Sequence, residues 1–131
     1  MGWAGLSWLL RRGGMSTENK RSGAGGLVAF DVALRVIEEM RGVVVTVRRH
    51  DADLARQMVR SASSVAANVA EGSRRVGGDR LHLFRVAAGS AQETAAHLRV
   101  AQAWGYLRAR DITGALELID RELRLLWGLT H

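Results

Sequence analysis

Apolar residues recur along most of the chain at the three- and four-residue spacing of an α-helix, and the pattern divides it into four segments. From about Leu27, the residues Phe30, Leu34, Ile37, Val44 and Val47 fall mostly three, four or seven apart, with Asp31, Arg35, Glu38, Glu39 and Arg41 among the intervening positions. The run Val43 to Val47 has strand propensity, but no second such run exists to pair with it, so it is expected to stay helical. A second helix begins near Asp51 or Asp53, either of which can accept a bond from a free backbone N–H. Its inward positions are Leu54, Met58, Ala62, Val65 and Val69, and Gly72 marks its end, with Arg74 and Arg75 at the negative end of the helix dipole. A third, capped by Asp79, places Phe84, Ala87, Ala91, Thr94, Leu98 and Ala101 in a heptad seam and stops at Gly105. Gly89, Ser90 and Ala91 thin its middle, so a large residue at Gly89 is expected to overpack a close helix contact. The fourth starts at Asp111 and carries Ile112, Leu116, Ile119, Leu123 and Leu126 inward, leaving Glu117, Asp120, Arg121, Glu122 and Arg124 on a charged face.

Four amphipathic helices joined by short turns predict an all-α fold, an antiparallel up-down-up-down four-helix bundle over residues 27–131. Residues 1–26 differ: Gly2, Gly5, Gly13, Gly14, Gly23, Gly25 and Gly26 break any helix, which reads as a flexible glycine-rich leader. Trp3, Trp8, Leu9 and Leu10 form a short apolar patch there, either inert or a docking point for a partner. Arg11 and Arg12 follow that patch, the reverse of a secretory signal, and Met15 is an alternative start. Cysteine is absent, which removes disulfides and thiolate metal sites and makes the cytoplasm the expected location. No apolar run approaches the roughly 18 to 20 residues of a membrane span, so no membrane partner is expected.

Charge changes the picture more than composition does. The net charge of +6 is uneven: residues 1–26 carry +3, 27–47 carry −1, 48–75 and 76–110 carry +3 each, and 111–131 carry −2. In an antiparallel bundle the second and third helices are neighbours, so their arginines give one basic side, with acidic first and last helices opposite. Arg48, Arg49, Arg56, Arg60, Arg74, Arg75, Arg80 and Arg85 are numerous enough to contact phosphates. A genome biased toward arginine would leave the same composition without any ligand. Aromatic residues are 5% of the chain, so base stacking is not expected, and binding should be directed at the nucleic-acid backbone and be salt-sensitive.

The inventory for catalysis is poor. A di-iron bundle site needs Glu-x-x-His on two helices, whereas Glu93 and His97 are four apart and have no second copy. His50 and His82 stand elsewhere in the pattern, and Ser63, Ser64 and Ser90 have no histidine and carboxylate constellation. No catalytic residue, metal site or cofactor is therefore expected. Asn68 and Glu71 lie at the edge of the apolar stripe, where a partly buried carboxylate needs a cation or donors such as Arg60, Arg75 or Ser90. With Ser90 and Glu93 they are read as a polar lock fixing the register of the second and third helices or of subunits; a small ligand site is the other reading.

The segment S-S-V-A-A-N-V-A-E-G-S-R-R (Ser63 to Arg75), then Phe84, A-A-G-S-A-Q-E-T (Ala87 to Thr94) and G-Y-L (Gly105 to Leu107) resembles a known family. It is that of the small four-helix-bundle proteins encoded in intervening sequences of bacterial large-subunit (23S) ribosomal RNA genes. The likeness covers roughly residues 28 to 128, includes Asn68, Glu71, Gly72, Gly89, Ser90 and Glu93, and leaves the leader out. It implies a cytoplasmic homo-oligomer, a pentameric ring, without enzymatic activity and with a role near ribosomal RNA inferred from gene location. The family is in turn similar to accessory proteins of diversity-generating retroelements, basic bundles that bind nucleic acid. The expectation is therefore a non-enzymatic oligomer binding RNA or DNA; a protein–protein adaptor whose arginines meet carboxylates across subunit interfaces is the alternative.

Overall fold

A computed structural model describes residues 25–131 as four α-helices and no strand. They are α1 (Gly25–His50), α2 (Ala52–Ser73), α3 (Gly77–Ala103) and α4 (Ala109–Thr130). Each helix packs against its neighbour in sequence and α4 closes against α1, an antiparallel bundle about 40 Å long at its longest helix. The leader expected over residues 1–26 lies outside the described residues except for Gly25 and Gly26, which belong to α1.

The turns are short because the ends are capped locally. Asp51 is extended (φ −155°, ψ 94°) and its carboxylate accepts the Leu54 N–H at 3.0 Å, so it, and not Asp53, caps α2. The cap expected at Asp79 is not there: the cap position lies three residues earlier, at Val76, which makes no side-chain cap bond, and Gly77 follows it with a positive φ of 62°. Asp79 lies in the first turn instead, where its charge favours the helix dipole. α4 begins at Ala109, and the Asp111 carboxylate reaches back to accept the Arg108 N–H at 2.8 Å.

The stripes expected on α2 and α3 are buried as read: Leu54, Met58, Ala62, Val65 and Val69 face Phe84, Ala87, Ala91, Thr94, Leu98 and Ala101 across the interior. Gly72 is not a helix terminator but a close-packing position in the last turn of α2. A Cβ there would sit 2.8 Å from Cε1 and 2.9 Å from Cδ1 of Phe84. Gly89 faces open space, with nothing within 4 Å of a Cβ built on it, so the overpacking expected at this position does not arise within the chain.

Two helices depart from the expected stripes. On α1 the core face is Val28, Ala29, Val32, Ala33, Val36, Met40, Val43 and Val47, and of the five residues read as inward only Val47 is buried. The larger Phe30, Ile37 and Val44 flank the core and Leu34 is exposed, because a bundle packed this closely takes small residues at its centre. On α4, Ile112, Ile119 and Leu126 are buried while Leu116 and Leu123 pack at the margin, and the remaining inward places go to Ala115, Leu118 and Glu122. Glu122 thus lies in the interior and not on the charged face.

Candidate nucleic-acid interface

The arginines divide between the two ends of the bundle. Arg48 and Arg49 close α1 and Arg56 opens α2, whereas Arg74 and Arg75 follow α2 and Arg80 opens α3. Arg56 and Arg74 are separated by about 27 Å along α2, with Arg60 between them.

At the α2–α3 turn much of the charge is already engaged. Arg75 donates through Nη2 to Glu71 at 2.7 Å, and hydrogen bonding to Arg75, reinforced by its charge and that of Arg74, holds the Glu71 carboxyl below its usual range. Arg80 is half-buried, lies 4.7 Å above the Phe84 ring centre and points Nη1 at the Gly72 carbonyl from 3.4 Å. Its guanidinium serves the C-terminus of α2. Arg74 is exposed and makes no ion pair among the described residues.

The opposite end is built differently. Trp104 ends α3, and Gly105, at φ 84°, reverses the chain so that its N–H bonds Gln102 O at 2.9 Å while the Tyr106 N–H bonds Ala101 O at 2.9 Å. This Schellman turn brings Tyr106 against the end of α1, where its ring stacks on His50 at 4.8 Å and 8° between planes. Trp104 stacks on Tyr106 in turn, at 6.4 Å and 15°. The same end of the bundle carries exposed Arg48 and Arg49 in the last turn of α1 and exposed Arg108 and Arg110 at the start of α4, none of which makes an ion pair among the described residues. The nearby acids are committed: Asp51 and Asp111 cap helices, and Asp53 pairs with Arg56 and accepts from Gln57. On the opposite side of the bundle from the α2–α3 seam, the α1–α4 groove holds Glu38, Glu39 and Glu117 with Arg35.

The residues read as a polar lock do different things. Ser64 and Ser90 hydroxyls meet at 2.8 Å between α2 and α3, and Asn68 Nδ2 donates to the Ser64 carbonyl at 2.8 Å and its hydroxyl at 3.0 Å. Ser61 and Thr94 form a second, buried hydroxyl pair at 2.8 Å. Pairing Ser61 with Thr94 and Ser64 with Ser90 is the antiparallel register written in polar atoms. Glu71 and Glu93 stay on the surface, each pairing with a residue four further along the chain, Glu71 with Arg75 just past the end of α2 and Glu93 with His97 within α3.

Sequence reasoning missed Glu122, whose residue surface is 0% exposed. Neither carboxylate oxygen has a hydrogen-bond partner among the described residues, and burial pushes its pKa up to about 8. The signal was its spacing, three after Ile119 and four before Leu126, which places it on the apolar stripe. Among the described residues no group of three or more His, Asp or Glu side chains could hold a metal ion, and no helix is long and apolar enough to cross a membrane.

A family model described as 23S rRNA-intervening sequence protein matches residues 28–128. No curated protein and no solved structure matches the chain.

Proposed function

The chain belongs to the 23S rRNA-intervening sequence protein family, and from that premise we propose that it is a non-enzymatic, self-associating bundle that binds RNA or DNA through its arginines. The observation that carries the reading is the imbalance at the ends of the bundle. Exposed Arg48, Arg49, Arg74, Arg108 and Arg110 make no ion pair among the described residues, while Asp51, Asp53 and Asp111 at the α1–α2 and α3–α4 turns and Glu71 at the other end are tied into caps and pairs. Phosphates are anions that exposed guanidiniums take well, and the formal charge of +6 draws any polyanion toward them.

Self-association is supported by the outer side of α1. Val44 and Ile37 border an apolar groove against α2 that continues onto the exposed Val45 and Val59, with Arg41 and Arg48 as the charged residues on its lining. A chain that folded only for itself would more often place polar residues there. Light scattering is expected to report an oligomer, and Val45→Glu with Val59→Glu to shift it toward the monomer.

Charge reversal tests the binding reading. With Arg48, Arg49 and Arg74 changed to glutamate, affinity for RNA in low salt is expected to fall by at least about tenfold, since each lost phosphate contact also removes released counterions. Unchanged affinity overturns it. A charge-reversed protein that instead falls apart into monomers favours an adaptor whose arginines meet carboxylates of another subunit.

A further inference from the structure

We propose that the end of the bundle where α1 meets the α3–α4 turn carries a stacking site for an unpaired base of single-stranded nucleic acid. Its platform is the indole of Trp104, and its phosphate-facing rim is drawn from Arg49, Arg108 and Arg110. This rests on the reading of the chain as a nucleic-acid-binding bundle and deepens it by naming the place and the kind of strand.

Three observations converge. The first is geometric: His50, Tyr106 and Trp104 are nearly parallel, within 8° and 15° of their neighbours, so they form a short pile of flat rings held by the Schellman turn at Gly105. The second is that the pile is unfinished. Trp104 is 69% exposed, although a tryptophan is among the side chains that gain most from being covered. A planar ring laid on it continues the same stack.

The third is charge. The arginines at this end of the bundle are exposed, and the three aspartates nearest to them in sequence are already engaged. An anionic partner with flat faces, spaced from its charges by a sugar, satisfies the indole and the guanidiniums together. An acidic peptide or an anionic membrane supplies the charge without the plane. A duplex buries its base faces within its own stack, so an unpaired strand fits best. The low aromatic content argued against base stacking, but two of the seven aromatic residues, Trp104 and Tyr106, are gathered here with His50.

The test is fluorescence anisotropy of the full chain with a labelled single strand of about ten nucleotides, and with a strand of equal length carrying abasic sites. Trp104→Ala is expected to weaken binding of the base-containing strand about tenfold or more, with the slope of affinity against salt unchanged. Trp104→Phe is expected to keep most of the affinity, and the abasic strand to be indifferent to either change. RNA and DNA strands are expected to show the same loss. Equal binding by wild type and Trp104→Ala, or an equal loss for the abasic strand, overturns the stacking site while leaving arginine-directed binding intact. A wild-type chain that binds no strand at low salt overturns both.

Discussion

The hydroxyls of Ser61 and Thr94 meet at 2.8 Å across the α2–α3 interface, and both side chains are buried. Thr94 is also 2.8 Å from the carbonyl of Ser90, and Ser61 is 3.3 Å from that of Met58, so each hydroxyl keeps one bond inside its own helix if the other is removed. Ser61→Ala and Thr94→Val are therefore each expected to cost only about 1 kcal/mol in urea unfolding, near the net worth of one hydrogen bond. The double variant is expected to cost less than the sum, since the second change has no cross-helix bond left to remove. Strict additivity would show that the pair is not coupled.

Glu122 makes stability depend on pH in an unusual direction. Its folded pKa, about 8, lies above the ordinary value of 4.5, so the folded chain holds a proton that the unfolded chain has released. The contribution is complete below pH 4.5 and is lost as pH rises toward 8, at up to about 1.4 kcal/mol per pH unit. Glu122→Met, a neutral side chain of similar length, is expected to flatten that decline and raise the melting temperature at pH 8. Parallel curves of melting temperature against pH for variant and wild type would refute it.

Two glycines should answer alanine in opposite ways. At Gly72 the new methyl meets the Phe84 ring at 2.8 Å, and displacing a buried aromatic is expected to cost roughly 1–3 kcal/mol. At Gly89 the methyl meets nothing, and a mid-helix glycine replaced by alanine is expected to gain up to about 1 kcal/mol. Thermal unfolding of the two single variants separates them. A loss at Gly89 would place that surface in a contact between copies of the chain.

The α2–α3 half of the fold was legible because the apolar residues repeating there at threes and fours are the ones the bundle buries. On α1 two apolar rows run side by side. Reading by size selected Phe30, Leu34 and Ile37, whereas close helix packing selected Ala29, Val32, Ala33 and Val36. Periodicity carries no information on which of two rows a neighbour needs. Glu122 was hidden for a related reason: a carboxylate among Glu117, Asp120, Arg121 and Arg124 reads as part of a solvated face, although its spacing belongs to Ile119 and Leu126. The arginines were visible one by one, but their separation to opposite ends depends on helix direction. The ring stack was not legible at all, since His50 and Tyr106 meet only once a left-handed glycine has turned the chain.

The most direct measurement is the salt dependence of single-stranded RNA binding by the full chain. Logarithmic affinity is expected to fall linearly with logarithmic salt concentration, with a slope of about −0.7 for each phosphate neutralised, and less steeply in Arg48→Glu/Arg49→Glu. Absence of binding at low salt, or an affinity indifferent to salt, would contradict it.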